Sequence, residues 1–233
     1  MLPDDVAIRT SNHHGTTLQQ LHDLWGAWIE SCDGTEDFLS PAMLDAGDDF
    51  QASTYAALTG FYRLSVSALR SALEIMTIAA WLKLADRKAD YRAWRNGEKT
   101  LSFGQACDGL ISATAGLHKA LRRSVKDSLF DQRTPSAEGG FARRIYGGMS
   151  EFAHSKPGYS DGDLRQSNGP IYIRLAFEHV SWIQFETVGL CFVLLLLTRP
   201  KAKLPAPLLE LFEDTKRLRS RVTRESFHLL HTH

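Results

Sequence analysis

Apolar residues recur along this chain at three- and four-residue steps almost throughout, the period of one face of an α-helix. The first such run predicts a helix over Thr17–Ser31, through Leu18, Leu21, Leu24, Trp25 and Trp28, before Gly34 and Pro41 mark a loop. A long helix is expected from Phe50 to Ala85, with its core stripe at Leu58, Tyr62, Val66, Leu69, Leu73, Met76, Ala80 and Leu84. Asp86–Thr100 is charged, and Asn96-Gly97 within it reads as a turn. Ser102–Leu129 and Phe141–His154 continue the helical period, the second stopping before Pro157 as the ring clash of proline requires. Turn residues fill Asp131–Gly140 and Ser155–Pro170. A core helix over Tyr172–Thr198 follows, and Pro200, Pro205 and Pro207 separate it from an amphipathic helix at Leu208–Thr223. No strand pair alternates; Ile171-Tyr172-Ile173 is at most one short strand. The expected fold is all-α, an antiparallel helical bundle over residues 17–198. It carries a flexible acidic N-terminus at 1–16 and a C-terminal amphipathic helix and tail at 199–233.

Length and composition leave that picture in place. With 233 residues and 43% apolar side chains the chain can bury a sizeable core, as one large domain or two small ones. The three cysteines, Cys32, Cys107 and Cys191, lack the paired spacing of a zinc or redox site and read as buried thiols in a reducing compartment. The N-terminus is acidic where a secretory signal would be basic and then apolar. Val188–Thr198 is too short for the roughly 20 residues of a membrane span. A cytoplasmic protein without membrane, metal or cofactor is expected. Gly97-Glu98-Lys99-Thr100 lacks the upstream glycine and strand of a phosphate-binding loop.

Charge adds an asymmetry. The 27 basic and 27 acidic side chains cancel, yet residues 1–50 hold ten acids and one base, a net of −9, so the remainder carries +9. Two basic runs stand out, Lys119, Arg122, Arg123 and Lys126, and Lys216, Arg217, Arg219, Arg221 and Arg224. They read either as solvated helix faces or as a surface for RNA or another polyanion, partly covered by the acidic leader. No aromatic interleaves them, so base stacking is not suggested.

Candidate chemistry lies on two polar stripes. Arg63, Ser67, Arg70, Glu74 and Thr77 advance by 4, 3, 4 and 3 and share one narrow face between apolar neighbours. They read as a solvent face with an Arg70–Glu74 pair, or as a cleft in which Glu74 fixes the Arg70 guanidinium for an anion. Arg143, Gly147, Ser150 and His154 align on a second helix, with Arg144 and Glu151 on the adjacent face. An arginine to hold phosphate and a histidine to move protons are what metal-independent cleavage by a ribose 2′-hydroxyl requires. Glu186 and His179, in an apolar helix, are expected to serve core hydrogen bonding.

The pairing of Leu69-Arg70-Ser71-Ala72-Leu73-Glu74 with Tyr146-Gly147-Gly148-Met149-Ser150-Glu151-Phe152-Ala153-His154 is similar to HEPN-type helical domains. It looks most like bacterial members that join an R-x-x-x-E helix to a Y-x-x-L-S-x-x-x-H helix, with Met149 standing where that pattern has leucine. The resemblance covers roughly residues 50–198. It implies a homodimer, and either an RNA-cutting effector of a toxin–antitoxin or antiphage system or a non-catalytic partner of a neighbouring gene's product. In the first case His154, Arg70, Glu74 and Arg144 would be catalytic, with Arg63, Arg143, Ser150 and Tyr146 binding substrate. The family's ribonucleases place a histidine after an arginine and four to six further residues. Here those arginine positions are Gly147, Gly148 and Met149, so Arg70 would have to supply the guanidinium from the neighbouring helix.

Overall fold

Helix boundaries follow from local capping chemistry. The computed structural model describes residues 2–32, 37–116, 119–131, 140–153, 169–200 and 202–231, and among these there are ten α-helices, one π-helical segment and no strand. The order is α1 (Pro3–Cys32), α2 (Ser40–Leu58), α3 (Tyr62–Leu84), α4 (Lys88–Arg95), α5 (Phe103–Ala113), α6 (Lys119–Arg123) and the π segment Ser124–Phe130. Then come α7 (Phe141–Ala153), α8 (Arg174–Thr198), α9 (Ala206–Glu213) and α10 (Arg221–His231). The all-α bundle with additional N- and C-terminal helices agrees with the sequence; several boundaries do not.

The expected first helix at Thr17 begins instead at Pro3. Pro3, Asp4 and Asp5 suit a helix N-terminus, where proline loses no hydrogen bond and carboxylates meet the positive end of the dipole. Val6 and Thr10 are buried, and the helix kinks at His14, whose ring stacks on Phe177 at 4.4 Å and whose Nε2 lies 3.1 Å from the Tyr172 hydroxyl. The stretch expected as a flexible leader is therefore docked on the start of α8.

The single helix expected over Phe50–Ala85 is two helices. Gly60 (φ +83°) ends α2 in a Schellman arrangement, with Phe61 N–H on the Ala56 carbonyl (2.7 Å) and Gly60 N–H on that of Ala57 (3.2 Å). Left-handed backbone at that point turns the chain so that α3 packs back along α2. Gly97 (φ +75°) ends α4 in the same way, as the Asn96-Gly97 turn predicts. The helix expected over Ser102–Leu129 starts on a capping box between Ser102 and Gln105 but breaks after Ala113, resuming as α6 and the π segment. The helix expected over Leu208–Thr223 is likewise two. Asp214 accepts from the Lys216 and Arg217 amides, and the Ser220 hydroxyl accepts from Thr223 N–H to start α10.

At the centre runs α8, buried on every side from Ile183 to Leu197. α3 lies against α2, α5, α7 and α8, so it is the element on which most of the bundle converges. Trp28 is fully buried between Phe50 and Phe192, its N–H on the Met43 carbonyl. Gln184 sits in the core and donates to the Phe50 carbonyl and the Thr54 hydroxyl, while Ser53 and Ser65 bond each other at 2.8 Å. These bonds satisfy polar groups that would otherwise cost about 1–3 kcal/mol each, and they fix the register of α2, α3 and α8. By length and composition α3 and α8 could each cross a membrane, but 94% of the most apolar stretch of α8 is buried inside the protein, against 56% for α3.

Candidate functional site

The two polar stripes meet. α7 packs on α3, and a turn of each helix contributes to one cluster. Arg70 donates through Nε to the Ser150 hydroxyl (2.9 Å) and through Nη2 to the Tyr146 hydroxyl (2.6 Å). The Tyr146 hydroxyl in turn donates a hydrogen bond to Glu74 Oε2 at 2.8 Å, and Glu74 closes the ring with a 3.5 Å ion pair to Arg70. The Ser150 hydroxyl donates to the Tyr146 carbonyl (2.9 Å), which frees its lone pairs for Arg70. Among the described residues Arg70 Nη1 has no partner, and the Arg70 and Glu74 side chains are 29% and 26% exposed.

Tyr146 is held from below as well. Its ring stacks on Phe103 of α5 at 3.9 Å, nearly parallel. Burial, and then the hydrogen bond to Glu74, push its hydroxyl well above the usual phenol range, so it stays a neutral donor and acceptor at physiological pH. The cluster is thus a guanidinium oriented by one carboxylate and two hydroxyls.

The other candidates divide. Arg143 leaves the cluster: it donates to the Phe130 carbonyl and to Asp108 of α5 (2.6 Å), tying α7 to α5 and the end of the π segment. Arg144 lies on another face of α7, exposed, its guanidinium 5.9 Å from the Phe141 ring centre. At 100° per residue, a helix that aims Tyr146 and Ser150 at α3 turns Arg144 away, while Arg143, on the Ser150 side but about two turns earlier, reaches α5 instead, so neither joins Arg70 as the sequence led us to expect. Arg63 stays on the α3 stripe, two turns before Arg70, with its carbonyl taken by the Ser67 hydroxyl. His154 lies outside the described residues, as does most of the expected loop Ser155–Pro170.

Arg144 borders a pocket of about 430 Å³ between α3, α7 and α8, walled by Val66, Phe141, Phe152, Trp182 and Ile183. His179 stands at its rim, exposed and edge-on to Trp182, rather than in the core where the sequence placed it. Glu186 is in the core as expected. Its Oε1 accepts from Trp182 Nε1 (3.1 Å) and from the Ser220 amide (2.8 Å), while Oε2 has no partner among the described residues. The sequence pattern does not single out Trp182; its link through Glu186 to Ser220, in the turn that leads into α10, leaves no sequence signal.

Glu186 makes stability depend on pH. Burial raises its folded-state pKa above the ordinary 4.5, partly opposed by the Ser220 and Trp182 hydrogen bonds. The folded protein then binds more protons than the unfolded chain between the two values, so this group's stabilisation is complete below 4.5 and is lost as pH rises through the raised value. We expect Glu186→Gln to flatten that decline. Urea unfolding midpoints at about pH 5 and about pH 8 would reveal it, and equal pH dependence in variant and wild type would remove Glu186 as the cause.

All three cysteines are buried thiols; burial pushes Cys107 up to about 12. Among the described residues no three His, Cys, Asp or Glu side chains gather as a metal site would need. No family model, curated protein or solved structure matches the chain.

Proposed function

We propose that the protein is a HEPN-like RNA-targeting effector working at the α3–α7 cluster, cytoplasmic and homodimeric. The observation that supports this reading is the meeting of the two polar stripes, which leaves an oriented, partly exposed Arg70 with an uncommitted Nη1. Arg70 would hold the phosphate of the scissile bond and Glu74 would keep its guanidinium in place. His154, four positions after Ser150 in sequence, would take the proton from the attacking ribose 2′-hydroxyl. The 2′-oxygen then bonds to phosphorus as the bond to the 5′-oxygen breaks, the leaving oxygen takes up a proton, and a 2′,3′-cyclic phosphate remains. Arg143 would act by holding α7 on α5.

One observation favours a second reading. Tyr146, Ser150 and Arg143 already bond to other helices or to their own, as fasteners of a non-enzymatic module would. Such a module would dimerise with itself or serve a neighbouring gene's product as sensor or inhibitor. Incubation of the purified protein with transfer RNA and single-stranded RNA separates the two. The effector reading expects cleavage that His154→Ala abolishes without lowering the melting temperature. RNA left intact by the wild type, with a variant that melts earlier, would establish the module.

A further inference from the structure

The two basic runs lie about a hundred residues apart in sequence, and the fold brings their elements together. α10 packs against α6 and the π segment, and the Ser124 and Ser226 hydroxyls bond at 2.5 Å across that contact. Lys119, Arg122, Arg123 and Lys126 are exposed on α6 and the π segment, and Lys216 and Arg219 are exposed in the turn that leads into α10, where the Arg219 guanidinium lies 5.5 Å from the Trp182 ring centre. Acids are scarce there. Residues 119–130 hold four bases and one acid, and residues 214–228 five bases and two acids, Asp214 and Glu225, which pair with Arg217 and Arg221 and leave Lys216, Arg219 and Arg224 in excess.

Packed helices lie roughly 8–10 Å apart, about one Debye length at physiological salt, so like charges on the two elements repel each other. The acidic segment at residues 1–50 packs elsewhere. Asp37 pairs with Lys83 and Arg199, and Asp45 with Arg95, while α1 packs on α2, α8 and α9. Asp37 and Asp45 are thus paired away from the α6–π–α10 face, and neither α1 nor α2 packs closely on it.

We propose that the α6–π–α10 face is a docking surface for the phosphate backbone of single-stranded RNA. The proposal rests on the RNA reading above for the identity of the anion, and concerns a face other than the Arg70 cluster. The aromatics of both runs, Phe130 and Phe227, are buried, so the face offers bases no stacking platform and binding follows charge rather than sequence.

Fluorescence anisotropy with labelled oligouridylate and oligoadenylate, across a salt series, tests this. Both strands should bind the wild type with similar affinity and a steep salt slope. The triple variant Lys119→Ser, Lys126→Ser, Lys216→Ser, checked for folding by circular dichroism, should lower affinity at least about tenfold and reduce the slope by about two, since each single-strand phosphate contact contributes roughly 0.7. An unchanged slope in that variant, or no binding by the wild type, would overturn the proposal. Binding of polyglutamate without binding of either RNA would assign the face to an acidic protein instead. Arg70→Ala removes one phosphate contact of the cleavage site and should lower the slope by no more than about 0.7. Lost cleavage with a slope lowered only that far bears on the Arg70 site alone, and an unchanged slope in the triple variant bears on this face alone.

Discussion

Gly60→Val is expected to destabilise the protein by about 2–5 kcal/mol, a large part of an ordinary stability of roughly 5–15 kcal/mol. Two costs combine. A β-branched residue at φ +83° costs roughly 1–2 kcal/mol in backbone strain. In addition, a Cβ at this position would stand 2.6 Å from the Ile171 amide nitrogen and closer still to its carbonyl oxygen. Those are main-chain atoms, so the strand of chain leading into α8 would have to move, at a further cost of about 1–3 kcal/mol. Gly97→Ala supplies the comparison: φ is +75°, but nothing lies within 4 Å of the added carbon. That variant should lose only about 1 kcal/mol. Urea unfolding of both reads the difference, and equal midpoints would mean that contact with Ile171 contributes nothing.

If the α3–α7 cluster cuts RNA as proposed, Arg70→Ala is expected to slow cleavage by about 10²–10³-fold, the equivalent of losing about 3–4 kcal/mol of charge stabilisation in the transition state. The stability cost should be much smaller. Tyr146 keeps its bond to Glu74, the Ser150 hydroxyl keeps its bond to the Tyr146 carbonyl, and what is lost is a partly exposed donor, worth about 1 kcal/mol. Arg70→Lys sharpens the test. A single ammonium replaces a planar fork that reaches Ser150 and Tyr146 together, so it should restore little of the rate despite its charge. A cleavage rate that Arg70→Ala leaves unchanged would remove the arginine from the reaction.

The helical period carried most of the fold, and α7 and α8 end within two residues of where their sequence patterns do. It failed where one residue's backbone interrupts an unbroken apolar stripe. Leu58 and Tyr62 continue that stripe across Gly60 in sequence, and only the left-handed turn reveals that they belong to different helices. The first half of α1 was missed for the opposite reason. Its burial runs through Val6, Thr10 and the His14 ring, too few apolar groups to register as a period. In the cluster, spacing placed Arg70 with Glu74 and Ser150 on the right faces. It did not place Tyr146 between them, nor send Arg143 to Asp108, because both depend on how far α7 is rotated about its axis against α5. That rotation is set by tertiary packing.

The cover over α8 has a consequence for how the chain is made. Leu218 fits against Gly189, Ser220 closes on Glu186, and α9 and α10 both pack along the same helix. Synthesis delivers these pieces in the wrong order for comfort: the most apolar helix leaves the ribosome first, and the residues that shield one side of it follow only later. During that interval the nascent chain presents an open apolar flank and a carboxylate still in water, the kind of surface on which holding chaperones act. A chain truncated soon after residue 200 would keep that flank open and leave Glu186 without its Ser220 partner, and so be the more prone to aggregate.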